Sequence, residues 1–166
     1  MNEPKIIEIK DRKLIGMRIK TTLSENKTLE LWQNFKPRVK DIKDRSDTDF
    51  YSVQIFEKSL KLEQLTPQTE FEKWAAVRVE GFDSIPDKLE NLTITGGRYA
   101  VFIHCGTPQE FAKTSAFIYG VWLPNSEFEL DERPHFEVMS ANYHPADPNA
   151  EEEVWIPIKK KNLSEI

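Results

Sequence analysis

One carboxylate stands inside an apolar strand. The run His135-Phe136-Glu137-Val138-Met139 alternates side chains as a strand does, and a carboxylate set in such a run needs a partner or must take up a proton. Three partners are open. Arg98 or Lys113 could pair with Glu137 inside the protein, the carboxylate could face water, or a bound organic cation could supply the opposite charge. Aromatic faces near such a cation add about 0.5–2 kcal/mol each by cation–π attraction. The candidate walls are Tyr51, Trp74, Tyr119, Trp122 and Trp155. Aromatics at strand and helix spacing also serve as core, and Trp122 has the alternative of packing beneath the sheet. Tyr51 and Tyr119 offer both a face and a hydrogen-bonding tip.

Other reactive types carry less. His104 and Cys105 are adjacent, and adjacent strand residues point to opposite faces, which argues against a Cys–His nucleophile. No second cysteine and no His-x-x-x-His spacing exists, so neither a metal nor another cofactor is expected. His135 shares the strand face of Glu137 and is placed either to tune it or to meet solvent. His144 lies in the polar loop 143–149 without a clear role. The run Glu151-Glu152-Glu153 reads as the solvated start of a strand.

The elements that must hold these residues follow from periodicity. Residues 5–10 and 13–20 alternate as two strands meeting at Asp11-Arg12. A helix begins near Thr28, with Leu29, Trp32, Phe35, Val39 and Ile42 as its apolar stripe, and Pro37 ends or kinks it. Strands follow at 50–56 and 74–79. After the linker 83–87, residues 89–95 and 98–104 form a second strand pair around Gly96-Gly97, read as a hairpin turn. Thr107-Pro108-Gln109-Glu110 is a capping-box sequence with proline at the first helical position. Its helix carries Phe111, Ser115, Ile118 and Trp122 on one side and stops at Pro124. Strands at 135–139 and 154–158 close the chain.

The order strand, strand, helix, strand, strand thus occurs twice. A shift of about 85–87 residues superposes Asp11-Arg12 on Gly96-Gly97, Trp32 on Tyr119, Phe35 on Trp122, Pro37 on Pro124 and Ser52 on Glu137. Trp74 and Trp155 mark the last strand of each half and would flank a groove from both ends. Two such halves pack about a pseudo-two-fold axis, and sites between repeated units are frequent ligand locations. The expected fold is α+β: two β-α-β-β repeats, each with a preceding hairpin strand, spanning roughly residues 4–82 and 88–161 of one domain. They would form a concave antiparallel sheet with helices on one side and a ligand groove on the other.

Composition narrows the function. The 166 residues carry a net charge of −5, with no basic run longer than Lys159-Lys160-Lys161, so direct nucleic-acid binding is not favoured. One cysteine excludes an internal disulfide framework. The N-terminus lacks a signal-peptide core, and no apolar stretch is long enough to span a bilayer. A cytoplasmic location and no membrane partner are expected.

The second half resembles the GyrI-like small-molecule-binding domain, the effector-binding domain of AraC-type and MerR-type multidrug regulators. The matching residues are Gly96-Gly97-Arg98-Tyr99-Ala100, Gly106, Ile118-Tyr119, Trp122-Leu123-Pro124, Phe136-Glu137 and Ile156-Pro157-Ile158. The first half adds Leu31-Trp32 and Phe35-Lys36-Pro37-Arg38, as in stand-alone members. The resemblance implies a groove at the pseudo-dyad with Glu137 at its centre, meeting a hydrophobic, cationic aromatic compound. Members often place an aromatic residue two positions after the glutamate, where this chain has Met139. Many carry a DNA-binding helix-turn-helix. This chain begins directly at the first strand, so the expectation is a binding protein that does not itself touch DNA and whose protein partner is open. Two alternatives stand beside it. One is a hydrolase of small electrophiles, with Glu137 as general base on water and Tyr119 or Tyr51 orienting the substrate. The other is a protein-interaction module of the gyrase-inhibitor type.

Overall fold

The computed structural model describes residues 3–57 and 64–162. Strand β1 (Lys5–Ile9) and β2 (Arg12–Thr21) lead to helix α1 (Thr28–Phe35), which tightens into a 3-10 segment, Lys36–Asp41. Strands β3 (Phe50–Ile55) and β4 (Phe71–Val79) complete the first half. The second half runs β5 (Glu90–Ile94), β6 (Gly97–Cys105), α2 (Phe111–Phe117), β7 (Phe128–Leu130), β8 (His135–Met139) and β9 (Glu151–Lys160). Helix α2 continues through a wide π turn, Ile118–Trp122, into a final α turn, Leu123–Asn125. Pro124 therefore sits inside that turn, and the helix stops one residue later than expected.

Every strand pairing is antiparallel, in the order β1-β6-β9-β8-β3-β4-β2-β5, with β7 alongside β9. Exchanging the halves reverses this order onto itself, so the sequence repeat is a structural two-fold centred between β3 and β8. The α+β class and the antiparallel sheet with two helices are as the sequence implied. The two strand pairs are not hairpins, however. β1 pairs with β6 of the other half and β2 with β5. The two short links cross instead of turning back, held where Gly96 N–H donates to Asp11 Oδ1 at 2.7 Å. A Cβ on Gly96 would stand 2.5 Å from the carbonyl oxygen of Ile9, so the crossing needs glycine. Gly96→Ala should cost about 1–3 kcal/mol through forced backbone shifts, read as a lowered thermal midpoint. Gly81→Ala, with nothing within 4 Å of its Cβ, is the control expected to be silent.

Two other local expectations yield to packing. Leu29 is 71% exposed, while Leu31 and Phe35 carry the buried face of α1. The helix is only eight residues long before it tightens, so a stripe extrapolated to Ile42 starts on the wrong side. The capping box does not form: the main-chain oxygen of Thr107, not its hydroxyl, accepts Glu110 N–H at 3.0 Å. The Glu110 carboxylate instead fills the space beside Gly106, whose φ of +131° suits glycine.

The two faces of the sheet bury different things. One face gathers Leu14, Tyr51, Val53, Trp74, Ile94, Tyr99, Val101, Phe136 and Trp155 into a single core. Phe136 stacks on Trp155 at 5.0 Å and on Tyr51 at 5.8 Å, and Tyr99 meets both Phe136 and Trp155 edge-on. Residues of both outer strand sets reach this cluster, so the sheet curls around it. The other face carries two separate clusters. Ile15, Ala75 and Val77 lie with Leu31 and Phe35 of α1, and Ala100, Phe102 and Ile156 lie with Ile118 and Leu123 after α2. The central strands β3 and β8 run between them.

Candidate ligand groove

Strand alternation decides what lines the strip between the helices. On β8, Phe136 and Val138 enter the aromatic core, so His135, Glu137 and Met139 face the helix side. Glu137 pairs across the pseudo-dyad with Ser52, which pairs in turn with Ala75. His135 pairs with Gln54 and Gln54 with Lys73, while Met139 lies opposite Phe50 on one side and Glu152 on the other. The carboxylate and its Ser52 twin therefore lie on the central strands between the two helix-side clusters, the candidate groove floor. The sequence reading places the groove on the opposite face. The face opposite the helices is filled by stacked aromatics, while on the helix face His135, Glu137 and Met139 are half-buried.

Glu137 is half-buried by surface, yet protein surrounds it on enough sides to push its carboxyl pKa to about 8, mainly by desolvation. The charge of Lys73 opposes that rise, Glu152 reinforces it, and a long hydrogen bond from Gln54 Nε2 at 3.4 Å opposes it weakly. Among the described residues no ion pair reaches Glu137. Arg98 lies over the ring of Phe128 at 5.9 Å and Lys113 is exposed, so neither of the two expected partners neutralises it.

The walls come from both halves. The π turn carries Tyr119, whose Oη lies 3.1 Å from His135 Nδ1; such widened turns recur at functional sites. Burial raises the Tyr119 phenol further above its usual range and lowers His135 to about 4, so both are neutral at pH 7. Phe56 packs edge-on against His135 at 5.5 Å and on Phe71 at 5.2 Å. On the α1 side Trp32 stands edge-on to Phe50 at 6.1 Å. Tyr143 is raised to about 12, first by burial and then by the charges of Glu152 and Glu137, which places it near the same carboxylates.

The structure divides the six residues proposed from sequence. Tyr119 bonds His135, two residues before Glu137, and senses the charge of Glu137. Trp122 packs at 5.2 Å against Phe102 and at 6.3 Å against Phe128 in the second-half core. Tyr51, Trp74 and Trp155 lie on the far face, at most 4% exposed. Each indole donates to the carboxylate two residues earlier, Trp74 to Glu72 and Trp155 to Glu153, and Tyr51 accepts from Arg12 at 3.1 Å. The placement of Tyr51 was readable: if Ser52 shares the face of Glu137, its neighbour points away. Sequence reasoning missed Gln54, Lys73 and Glu152. Lys73 precedes a tryptophan taken as ligand-facing, and Glu152 was assigned to solvent. His104 faces the helix side and is buried, with Nδ1 2.7 Å from Thr114 Oγ1, while Cys105 is exposed, so the two point apart as expected. A separate hollow lined by Glu8, Gly97, Arg98, Arg133 and Lys159 contains none of the groove residues.

No described helix is long and apolar enough to cross a membrane. Residues 2–159 match the model of the GyrI-like small molecule binding domain. The chain is 26% identical over 155 residues to the transcriptional regulator BrlR of Pseudomonas aeruginosa, covering 93% of this chain and 54% of BrlR. It therefore spans about half the length of that relative. Among solved structures, SAV2435 bound to tetraphenylphosphonium aligns with a TM-score of 0.72 at 17% identity, over 95% of this chain and 94% of that one. EcmrR in its complex with DNA aligns with a TM-score of 0.71 at 11% identity, over 96% of this chain and 58% of that one. At these identities the structural likeness speaks to the fold.

Proposed function

We propose that this chain, which belongs to the GyrI-like small-molecule-binding domain family and is related to the effector domains of transcription regulators, captures a hydrophobic aromatic cation in the groove between its two helices. The observation that carries this reading is the state of Glu137. It is a desolvated carboxylate at the pseudo-dyad, reachable from outside and without an ion-pair partner among the described residues. With its pKa raised to about 8 the group escapes the cost of an unpaired buried charge at pH 7 by holding a proton, and its ionised form lacks a partner. A ligand cation stabilises the ionised form, and Tyr119, which senses the charge of Glu137, offers a ring beside it. The fold-level likeness to a protein bound to a lipophilic phosphonium agrees with this class of ligand.

The test is titration with tetraphenylphosphonium, followed by tryptophan fluorescence and thermal shift. Micromolar binding supports the reading; no shift with any of a panel of lipophilic cations would sink it. The two faces should separate in the same assay. Tyr119→Ala should weaken binding about tenfold by removing one cation–π wall. Trp155→Leu should lower the thermal midpoint while leaving the affinity within about twofold, since its ring belongs to the far core. The opposite pattern would mean that the ligand sits on the other face.

A carboxyl near pKa 8 beside a tyrosine also meets the requirement for a general base. The hydrolase reading is separated by incubating small epoxides or esters with the protein. It requires product formation that disappears in Glu137→Gln.

A further inference from the structure

The groove floor carries three ionisable side chains besides its histidine, and the register places them on one diagonal. Lys73 on β4 lies in the row of Gln54 and His135. Glu137 on β8 lies in the next row, with Ser52 and Val154. Glu152 on β9 lies in the row after that, opposite Met139. All three face the helix side by strand alternation. Diagonal neighbours on adjacent strands are about 7–8 Å apart, so Glu137 and Glu152 share one end of the groove and Lys73 marks the other. Each of the three senses the charge of another: Lys73 acts on both carboxylates, and Glu152 acts on Glu137. Desolvation acts on Lys73 as it does on Glu137, in the direction that disfavours its charge. Among the described residues no carboxylate comes within ion-pair distance of Lys73; the carboxylate of Glu72, next to it in sequence, is held by Arg18 and Trp74 instead.

The pseudo-two-fold sharpens the asymmetry. Ser52 and Glu137 are twins, so the register makes Gln54 equivalent to Met139 and Lys73, paired with Gln54, equivalent to Glu152, paired with Met139. Neither charge is required by the repeat, and each half contributes a different sign. A purely cationic ligand centred on Glu137 would have Lys73 as a repelling neighbour. A ligand with an acid group at one end and a cationic centre at the other would satisfy both ends of the floor.

We propose that the groove is selective for a zwitterionic aromatic compound, its cationic centre between Glu137 and Glu152 and its carboxylate, or an equivalent anionic group, against Lys73. This rests on the ligand-groove reading above and names the class of ligand within it. Lys73 is then a specificity-determining residue. An ammonium donating to an anionic group forms a charge-assisted hydrogen bond, and a desolvated floor strengthens it.

The test uses a matched dye pair. Rhodamine 110 carries a free carboxylate beside its cationic ring system, and rhodamine 123 is its methyl ester, a cation only. Fluorescence anisotropy gives both affinities for the full chain at pH 8. The wild-type protein should bind rhodamine 110 more tightly by about tenfold. Lys73→Gln should abolish or reverse that ratio, Lys73→Arg should keep a preference for the acid, and thermal midpoints check that each variant is folded. Glu137→Gln should weaken both dyes. If Glu137→Gln weakens both but Lys73→Gln leaves their ratio unchanged, the zwitterion inference is overturned and the cation groove stands. If Glu137→Gln changes neither dye, the groove reading fails and this inference with it. Tighter binding of the ester by the wild-type protein, or no binding of either dye, also overturns the inference.

Discussion

At pH 8, Glu137→Gln should weaken tetraphenylphosphonium binding by about thirtyfold or more, a loss of about 2 kcal/mol or more when one partner of a desolvated charge pair is removed. The substitution keeps shape and hydrogen-bonding capacity, so the loss reports charge. The same variant should move stability the other way. Glu137 has a folded-state pKa near 8 against an ordinary 4.5. A raised pKa contributes stability that is complete below the unfolded value and is lost as pH rises through the folded value. Without ligand, the parent should therefore lose stability relative to Glu137→Gln between about pH 5 and pH 8, and the variant should be the more heat-resistant of the two at pH 9. Isothermal titration with thermal unfolding at two pH values checks both halves. Undiminished affinity in the variant would remove Glu137 from the site.

The affinity of the unmodified protein for the same quaternary cation should rise about fiftyfold between pH 6 and pH 8 and then flatten, because only the ionised fraction of Glu137 is competent to bind. Tetraphenylphosphonium does not titrate, so the change belongs to the protein. The groups facing Glu137 do not reverse the sign. His135, near 4, is already neutral at the start of this range, and Tyr119 and Tyr143 are raised and remain protonated. Glu152 is raised by burial and gains negative charge with pH. Lys73, lowered by burial, can only lose positive charge. Every titration in the groove thus makes it more attractive to a cation as pH rises. Glu137→Gln should remove most of the slope. A flat profile in the parent would mean that the carboxylate is already ionised at pH 6 and therefore exposed or paired.

These two results depend on a placement that the chain only half disclosed. The repeat was legible, because helix, turn and proline positions recur at one spacing, and local physics writes those signals into neighbouring residues. Ser52 as the twin of Glu137 was legible too, and the two stand directly opposite each other. The exchange of β1 and β5 between halves was not. A tight link between two alternating segments looks the same whether the strands turn back on each other or cross, and the choice depends on Gly96 passing the backbone at Ile9.

The sequence by itself determined the α+β class, the two-fold, the family, and a carboxylate on the central strand, since periodicity and turn chemistry act over a few residues. Only the tertiary structure decided which face of the curled sheet the aromatics fill. Alternation divides the strand residues into two sets without saying which set is covered. Tyr51, Trp74, Phe136 and Trp155 stack into one core, and that burial leaves the opposite set as the proposed groove face. It removed three of the proposed aromatic walls and put Lys73 and Glu152 beside Glu137. Coulomb interactions among those three depend on strands far apart in the chain, and so became visible only once β4, β8 and β9 lay in one sheet.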